Sequence, residues 1–266
     1  MKLTWGELWP DIRRPLIGML HLPPLPGSPG FRGDRDDLMQ RVMDDAAALV
    51  EGGVHALMIE NFGDTPFYPQ RVPAITIAHM TALAYEVRRR YALPLGVNVL
   101  RNDGQSALAI AHAVGAQFIR VNVLCGARVA DQGLLQSIAH DLLRERAALA
   151  ARVQIWADVN VKHSAPLGER SVEEETVDII HRGCADAVIV SGAGTGHPTD
   201  LNELERVKAA AGSTPVLVGS GVTAETIGAY SVYADGFIVG TSIKRDGFTT
   251  HPVDPARVRA LVDALA

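Results

Sequence analysis

Acidic, amide and basic side chains alternate with apolar ones along a short segment in the second half of the chain. Asp158, Asn160 and Lys162 stand at every second position, and valines separate them. Side chains of a β-strand point alternately to opposite faces, so this spacing places the three polar groups on one face. A lysine buried among such groups can lose its proton and act as a base or a Schiff-base nucleophile. It can also stay charged and hold a phosphate or carboxylate.

Other polar residues stand at the ends of further short apolar runs, namely His21, Glu60, Asn98, Arg120, Asn122 and Ser191. A period of two places them on the face opposite the one that suits packing against helices. Unpaired buried charge is costly, so we expect the acidic and basic members to pair. The set is either an internal salt-bridge plug or a ligand-binding and catalytic site. Its concentration at strand ends favours the site.

We assign catalytic roles to Glu60, Asp158 and Lys162, because these groups can exchange protons with a substrate. Glu60 and Asp158 are alternatively ligands for a hard cation such as Mg²⁺. The predicted substrate contacts are His21, Asn98, Arg120, Asn122, Asn160, His163 and Ser191. No HxH or HExxH is present, and no other metal or cofactor is predicted.

Two glycine-containing turns near the end of the chain could hold an anion. Val216–Thr223 and Gly236–Lys244 each have the pattern of a strand, a turn and a helix start. Glycines let backbone amides approach a phosphate closely, although they also serve tight turns that bind nothing. Lys244 is either an anion contact or a surface residue. The predicted phosphate-binding residues are Gly192, Gly194, Gly219, Ser220, Gly221, Gly240, Thr241 and Ser242.

A nucleotide-binding motif is not supported by the loop at 191–197. It has His197 where the dinucleotide fingerprint requires glycine, and no acidic residue ends a strand about 20 residues later. The chain also lacks GxxxxGK[ST], which argues against an ordinary P-loop NTPase.

Eight short apolar runs alternate with segments of helical period. The predicted strands are Leu16–Leu20, Ala56–Ile59, Leu95–Val99, Phe118–Val121, Ile155–Val159, Ala187–Val190, Val216–Val218 and Gly236–Val239. The predicted helices are Asp36–Gly52, Ala74–Tyr91, Ser106–Val114, Leu134–Ala150, Ser171–Arg182, Asp200–Ala211, Thr223–Ser231 and Asp254–Leu265. Eight βα units in about 250 residues predict an α/β fold, a single (β/α)₈ TIM barrel, rather than an open sheet.

One domain is predicted to span residues 1–266, with a short N-terminal capping segment over residues 1–14. Thr4 and Glu7 in that segment have the spacing of a helix capping box. The loops that follow the barrel strands would then carry the function.

Composition excludes several classes of function. The chain has 266 residues, a net charge of −5 and only 5% aromatic residues, which argues against nucleic-acid binding. No apolar stretch is long enough for a transmembrane segment, and the N-terminus does not resemble a signal peptide. Two cysteines without a CxxC pattern indicate reduced thiols, so we predict a cytoplasmic protein.

Three segments together resemble the BtpA/SgcQ family: Gly18–Pro29, Ile59–Asp64 and Asp158–Leu167, along with the Gly192–Gly196 loop. The resemblance extends over nearly the whole chain. It implies a TIM barrel related to the phosphate-binding barrels. The family name refers to a role in accumulating photosystem I, where the protein is peripheral to the thylakoid. The resemblance implies no catalytic residues.

Two functions are therefore carried forward from the sequence. The first is an enzyme acting on a small phosphorylated metabolite, such as a sugar phosphate or a nucleotide-derived sugar, by isomerase, epimerase or aldolase chemistry. The second is a non-catalytic biogenesis factor, with a membrane-complex partner and peripheral membrane association. A homo-oligomer is compatible with either function.

Overall fold

A closed parallel barrel surrounded by helices forms the body of the protein. The computed structural model describes residues 3–265. The barrel strands are β1 (Leu16–His21), β2 (Ala56–Glu60), β3 (Leu95–Asn98), β4 (Phe118–Val121), β7 (Gln154–Val159), β9 (Ala187–Val190), β10 (Val216–Val218) and β11 (Gly236–Val239). They pair in chain order, and β11 closes the ring against β1. The eight predicted strands and the (β/α)₈ fold are thus confirmed.

Three further strands, nine α-helices and two short 3₁₀ helices (Thr241–Ile243 and Arg245–Gly247) complete the secondary structure of the described residues. The strands are β5 (Ala127–Ala130), β6 (Gly133–Gln136) and β8 (Ser164–Pro166), which form an antiparallel sheet beside the barrel. The helices are α1 (Trp5–Leu8), α2 (Arg35–Gly52), α3 (Ala74–Arg90), α4 (Gly104–Val114), α5 (Ala139–Ala148), α6 (Val172–His181), α7 (Leu201–Ala211), α8 (Ile227–Tyr230) and α9 (Pro255–Asp263). None of these helices is long and apolar enough to cross a membrane.

Strand register brings four predicted site residues side by side. His21 pairs with Glu60, Glu60 with Asn98, and Asn98 with Arg120 on adjacent strands. Paired positions of a parallel sheet direct their side chains to the same face. The polar residues therefore form one layer at the carboxyl ends of β1 to β4.

Below this layer the barrel is filled by apolar side chains. Phe118 and Trp156 stack with ring centroids 3.8 Å apart, and both are fully buried. Helix α1 closes the bottom of the barrel, where the Trp5 ring centroid lies 5.7 Å from that of Trp156. The capping box of Thr4 and Glu7 at this helix is confirmed. Residues 1 and 2 of the predicted capping segment, and residue 266 of the predicted domain, lie outside the described residues.

The predicted helix Leu134–Ala150 is wrong in its first turn and a half. Leu134 belongs to β6, which forms a hairpin with β5 through a turn at Asp131 and Gln132, and the helix begins at Ala139. Leu135 drives this arrangement, because it is fully buried in a small cluster with Val123 and Val161. The predicted helix Thr223–Ser231 is also mostly a turn, with one helical turn at Ile227–Tyr230.

The aromatic stack of Phe118 and Trp156 leaves no room for a side chain at position 96, so we expect glycine to be required there. A Cβ at this position would lie 2.0 Å from the Phe118 ring, which Trp156 holds in place. Overpacking of this kind costs about 1–3 kcal/mol, so Gly96→Ala should lower the free energy of unfolding by that amount in urea denaturation. Gly228→Ala is the control, because its Cβ would meet nothing within 4 Å. Equal stability of the two variants would contradict the packing argument.

Candidate functional site

A cavity of about 620 Å³ opens at the carboxyl ends of the barrel strands. Nearly all of the barrel loops contribute to its wall. Its polar lining comprises His21, Glu60, Thr65, Arg101, Arg120, Asn122, Asp131, Gln132, Lys162, His163, Thr195, Ser220, Thr223, Thr241 and Ser242. The size suits a small metabolite rather than a macromolecule.

Arg120 and Asp158 form a buried ion pair at the base of the cavity. Arg120 donates Nε–H to Asp158 Oδ2 at 3.0 Å and Nη2–H to Oδ1 at 2.6 Å. Asn122 donates a further hydrogen bond to Oδ2 at 2.7 Å. Burial alone would lower the pKa of Arg120, but Asp158 and then Glu60 outweigh burial and raise it. Both oxygens of Asp158 are therefore occupied by hydrogen bonds from Arg120 and Asn122.

Glu60 is buried beside His21 on the neighbouring strand. Its Oε1 lies 3.7 Å from His21 Nε2. Burial raises the pKa of Glu60, although Arg120, Lys162 and Arg101 act in the opposite direction. Burial, followed by the charges of Lys244, Lys162 and Arg120, lowers the pKa of His21 well below 6.5. His21 is therefore neutral at physiological pH, and Glu60 is a stronger base than an exposed glutamate.

Lys162 projects into the same cavity from the loop after β7. Among residues 3–265, no acceptor lies within hydrogen-bonding distance of its ammonium group. Burial and the charge of Arg120 lower the pKa of Lys162 to about 8, although Glu60 and Asp158 raise it. A substantial fraction of Lys162 is thus neutral in mildly alkaline solution, and its charged form is a stronger acid than an ordinary lysine.

The loops after β10 and β11 form one wall of the cavity. In the part of the chain that the structure describes, no protein acceptor takes the N–H groups of Gly221, Val222, Thr241 and Ser242. Ser242 Oγ–H donates to the Val222 carbonyl at 2.6 Å and fixes the two loops to each other. Gly221 has a φ of 68° and no room for a Cβ, which would lie 2.3 Å from the His197 carbonyl oxygen. The two loops thus offer a group of free donors to an anion.

The loop after β9 packs against these turns. Gly192 N–H donates to Ser220 Oγ at 2.7 Å, and Ser220 Oγ–H donates to the His197 carbonyl at 3.2 Å. Gly192 and Gly194 do not line the cavity, whereas Thr195 and Gly196 do. The two predicted glycines therefore pack behind the loops after β9 and β10 rather than face the cavity.

The prediction that Asn160 faces the barrel interior is wrong. The strand ends at Val159, and Asn160 has a φ of 48°, so the chain turns there and directs the side chain outward. Asn160 is exposed; its Oδ1 accepts from Arg128 Nη2 at 2.7 Å, and its Nδ2 donates to Glu203. The Asn160 side chain thus links the end of β7 by hydrogen bonds to segments outside the barrel.

The other predicted contacts lie at or next to the cavity. Asn98 is buried and donates to the Arg120 carbonyl, and Ser191 Oγ lies 3.5 Å from Arg120 Nη2, but neither lines the cavity. His163 does line it and lies 3.3 Å from Thr195 Oγ1. The interpretation of Lys244 as a surface residue is wrong, because the residue is 1% exposed and its ammonium group donates a hydrogen bond to Asp45.

Several cavity residues were missed because they lie beyond the predicted strands. Arg101 follows β3, and Asp131 and Gln132 form the turn of the unpredicted hairpin. A polar residue shortly after a predicted barrel strand was the available signal for Arg101. The hairpin residues carried no such signal.

Buried polar atoms without a partner are concentrated at this cavity. Within residues 3–265, seven buried side-chain nitrogen or oxygen atoms lack a hydrogen bond. Five of them belong to residues in or beside the cavity wall: His21, Asn98, Arg101, Asn122 and Gln132. Such atoms are rare in folded proteins, so their clustering indicates a site that a polar ligand completes.

A metal site is not formed by the predicted ligands. Both oxygens of Asp158 accept from Arg120 and Asn122, which leaves Glu60 as the single free carboxylate of the pair. Over residues 3–265, no group of three or more His, Cys, Asp or Glu side chains is arranged to hold a metal ion.

Comparison with known protein families identifies relatives over nearly the whole chain. A family model described as the BtpA family matches residues 12–266. The photosystem I biogenesis protein BtpA of Synechocystis sp. is 46% identical over 252 residues, which cover 95% of this chain and 88% of that protein. An uncharacterised protein of Thermococcus kodakarensis is 47% identical and covers 94% of this chain and 95% of its own length.

Comparison with solved structures gives the same fold. N-(5′-phosphoribosyl)anthranilate isomerase from Pyrococcus furiosus superposes with a TM-score of 0.57 at 14% identity, covering 94% of this chain and 98% of its own. KGPDC from Streptococcus mutans has a TM-score of 0.57 at 14% identity and covers 95% and 97%. A KDPGal structure has a TM-score of 0.59 at 13% identity and covers 99% and 97%. At these identities the likeness establishes the fold alone.

Lys162 is expected to titrate near pH 8 rather than near the ordinary lysine value of about 10.4. Glu60→Gln removes a negative charge that raises this pKa, so Lys162 should then titrate lower still. The ¹³Cε signals of lysine-labelled protein report this by NMR, since the chain has only four lysines, at positions 2, 162, 208 and 244.

Glu51→Gln serves as the control for the Lys162 titration, because Glu51 is exposed on α2, where it contacts Arg259. It should leave the Lys162 titration unchanged. A Lys162 signal that titrates above pH 10, or that ignores the loss of Glu60, would contradict this electrostatic description.

Proposed function

This chain belongs to the BtpA family, and we propose that it is an enzyme that moves a proton next to a carbonyl group of a small phosphorylated metabolite. The observation that carries the proposal is the clustering of unpartnered polar atoms around one cavity of metabolite size. A barrel selected for stability alone would fill these positions with apolar side chains. A ligand supplies the missing hydrogen-bond partners here.

The phosphate group binds between the loops after β10 and β11 in this proposal. The amides of Gly221, Val222, Thr241 and Ser242 donate to its oxygens, and the hydroxyls of Ser220 and Thr241 lie in the same wall. Phosphate groups are frequently held at this place in TIM barrels, because the loops after strands seven and eight present free amides. The remainder of the ligand then extends across the polar layer towards Glu60 and Lys162.

Glu60 and Lys162 exchange protons with the substrate. The Glu60 carboxylate takes a proton from the carbon next to the carbonyl, and the C–H electron pair forms a carbon–carbon double bond. The carbonyl π-electrons move to oxygen, which takes a proton from the Lys162 ammonium. The raised pKa of Glu60 and the lowered pKa of Lys162 both favour this direction. This step is common to isomerases, epimerases and aldolases.

Arg120, Asp158 and Asn122 fix the geometry without exchanging protons. Asp158 keeps the guanidinium of Arg120 in one orientation, so the charge below the substrate is preorganised. His21 stays neutral and contacts Glu60, which positions the base. Gly240 is needed beside it, because a Cβ there would lie 2.5 Å from His21 Cε1.

The structural neighbours support a phosphorylated substrate. The Pyrococcus furiosus enzyme is named for a phosphoribosyl compound, and so is the enzyme of the same name from Thermus thermophilus, which has a TM-score of 0.55 at 10% identity. Their similarity to this chain lies in the fold, and so the substrate assignment rests on the cavity of this chain.

A second candidate is a non-catalytic role in assembling a membrane protein complex. It is favoured by the 46% identity to the photosystem I biogenesis protein of Synechocystis. That role would use an outer surface, and the cavity would then be a vestigial or regulatory ligand site. The two functions therefore differ in whether a ligand bound in the cavity undergoes a reaction.

Phosphorylated sugars and inorganic phosphate are expected to stabilise the protein in a thermal-shift assay. A ligand present at 100 times its Kd adds about 2.7 kcal/mol to the free energy of unfolding. At roughly 2–4 °C per kcal/mol, the melting temperature should rise by about 5–11 °C. Thr241→Asp places a carboxylate among the phosphate donors and should abolish the shift.

Thr241→Asn is the matched control for Thr241→Asp, because asparagine has nearly the same shape as aspartate without the charge and should keep most of the shift. A flat response of folded wild-type protein to every phosphorylated compound would reject the enzyme proposal and leave the assembly role.

Substrate C–H exchange with solvent gives a direct test of the proton transfer. Ligands that shift the melting temperature are incubated with the protein in D₂O. Proton NMR then follows the loss of the signal from the hydrogen on the carbon next to the carbonyl group. Glu60→Gln and Lys162→Met should each slow exchange by about 10²–10⁴-fold, the usual contribution of a general acid or base. Glu51→Gln should exchange at the wild-type rate. Unchanged exchange in both site variants would reject these two roles.

A further inference from the structure

Arg101 is a buried cation without an anionic partner. Its side chain lines the cavity, yet the residue is only 5% exposed. Its Nη2–H donates to the carbonyl oxygen of Lys162 at 2.5 Å, and its buried Nε–H has no acceptor within the described residues. No carboxylate of residues 3–265 lies within 4 Å of its guanidinium.

This arrangement is energetically unfavourable for the protein alone. A buried guanidinium normally pairs with a carboxylate, because an uncompensated buried charge is costly. The nearby acidic groups do not fill that place. Asp158 is taken by Arg120, Glu60 lies beside His21, and Asp131 is exposed on the hairpin turn. Burial accordingly lowers the pKa of Arg101. A negative group from the ligand would remove the imbalance.

Strand order places Arg101 across the cavity from the phosphate loops. Around the barrel, β3 is four strands away from β10 in either direction. Arg101 follows β3, and the amides of Gly221 and Val222 follow β10. A ligand whose phosphate binds at those amides therefore presents its opposite end to Arg101. Glu60 lies between the two ends on the neighbouring strand β2.

We propose that Arg101 binds a carboxylate of the substrate, so that the substrate is a phosphorylated carboxylic acid with its two anionic groups at opposite ends. This inference rests on the proposed function, because it takes the phosphate site as given. One guanidinium balances the single charge of a carboxylate, and its free Nε–H is the kind of donor that a carboxylate oxygen accepts. The second cation of this wall, Lys162, stays available for the proton transfer.

Two matched ligand pairs test the proposal by calorimetric titration. Gluconate 6-phosphate is compared with glucitol 6-phosphate, and ribonate 5-phosphate with ribitol 5-phosphate. Within each pair both compounds are open chains, and they differ only in a carboxylate against a hydroxymethyl group. Wild-type protein should bind the acid of at least one pair about tenfold or more tightly than its alcohol.

Arg101→Met keeps an unbranched side chain of about the length of the aliphatic part of arginine and removes the guanidinium charge. It should abolish the preference for the acid and leave the affinity for the alcohol within about twofold. Arg90→Met is the control, because Arg90 is exposed on α3. It should retain the full preference. The comparison of acid with alcohol on the wild-type protein remains decisive even if Arg101→Met does not fold.

Each other result overturns a defined part of the argument. Equal binding of acid and alcohol by the wild-type protein, or a preference that survives Arg101→Met, rejects the carboxylate site and leaves the phosphate site standing. Tighter, Arg101-dependent binding of glucitol 1,6-bisphosphate than of gluconate 6-phosphate rejects the carboxylate assignment. Failure of all these compounds and of inorganic phosphate to bind rejects the proposed function, and this inference with it.

Discussion

The buried ion pair of Arg120 and Asp158 is the interaction on which the organisation of the cavity depends. Two opposite charges on neighbouring strands are held by two hydrogen bonds, and Asn122 satisfies a further position of the carboxylate. Removing either partner would leave an uncompensated charge inside the barrel, which is far more costly than the pair itself. The pair therefore fixes a positive guanidinium at the base of the cavity. The pKa shifts of Glu60 and Lys162 follow in part from its charges.

An apolar core and a polar layer follow each other along the axis of the barrel. In its lower half, Phe118 and Trp156 stack between the strands, and α1 closes the bottom. The polar layer of Glu60 and Arg120 lies directly above, on the same strands. Because the apolar floor excludes water from below, the charges above it are desolvated and interact strongly. The buried polar atoms without hydrogen-bond partners lie in this desolvated layer, next to the opening of the cavity.

Much of this organisation is readable from the sequence, because it depends on local periodicity. Apolar runs separated by helical segments predict the barrel, and polar residues at run ends predict Glu60, Arg120 and Asp158 at the mouth. The prediction for Asn160 is wrong because a period of two holds only while the strand continues. Asn160 itself has a left-handed backbone conformation, which ends the strand. Arg101 and the hairpin at Asp131 lie in loops, whose course depends on tertiary packing such as the burial of Leu135. Periodicity carries no information about such segments.

Burial acts in opposite directions on the two groups that could exchange a proton. It raises the pKa of Glu60 and lowers that of Lys162, because in each case the uncharged form is favoured. The difference between their affinities for a proton is therefore smaller than it would be in water. Asp158 lies in the same surroundings, but both of its oxygens accept hydrogen bonds, from Arg120 and Asn122. The two similar carboxylates thus differ in their surroundings: among the described residues, Asp158 has a hydrogen-bonded cationic partner and Glu60 does not.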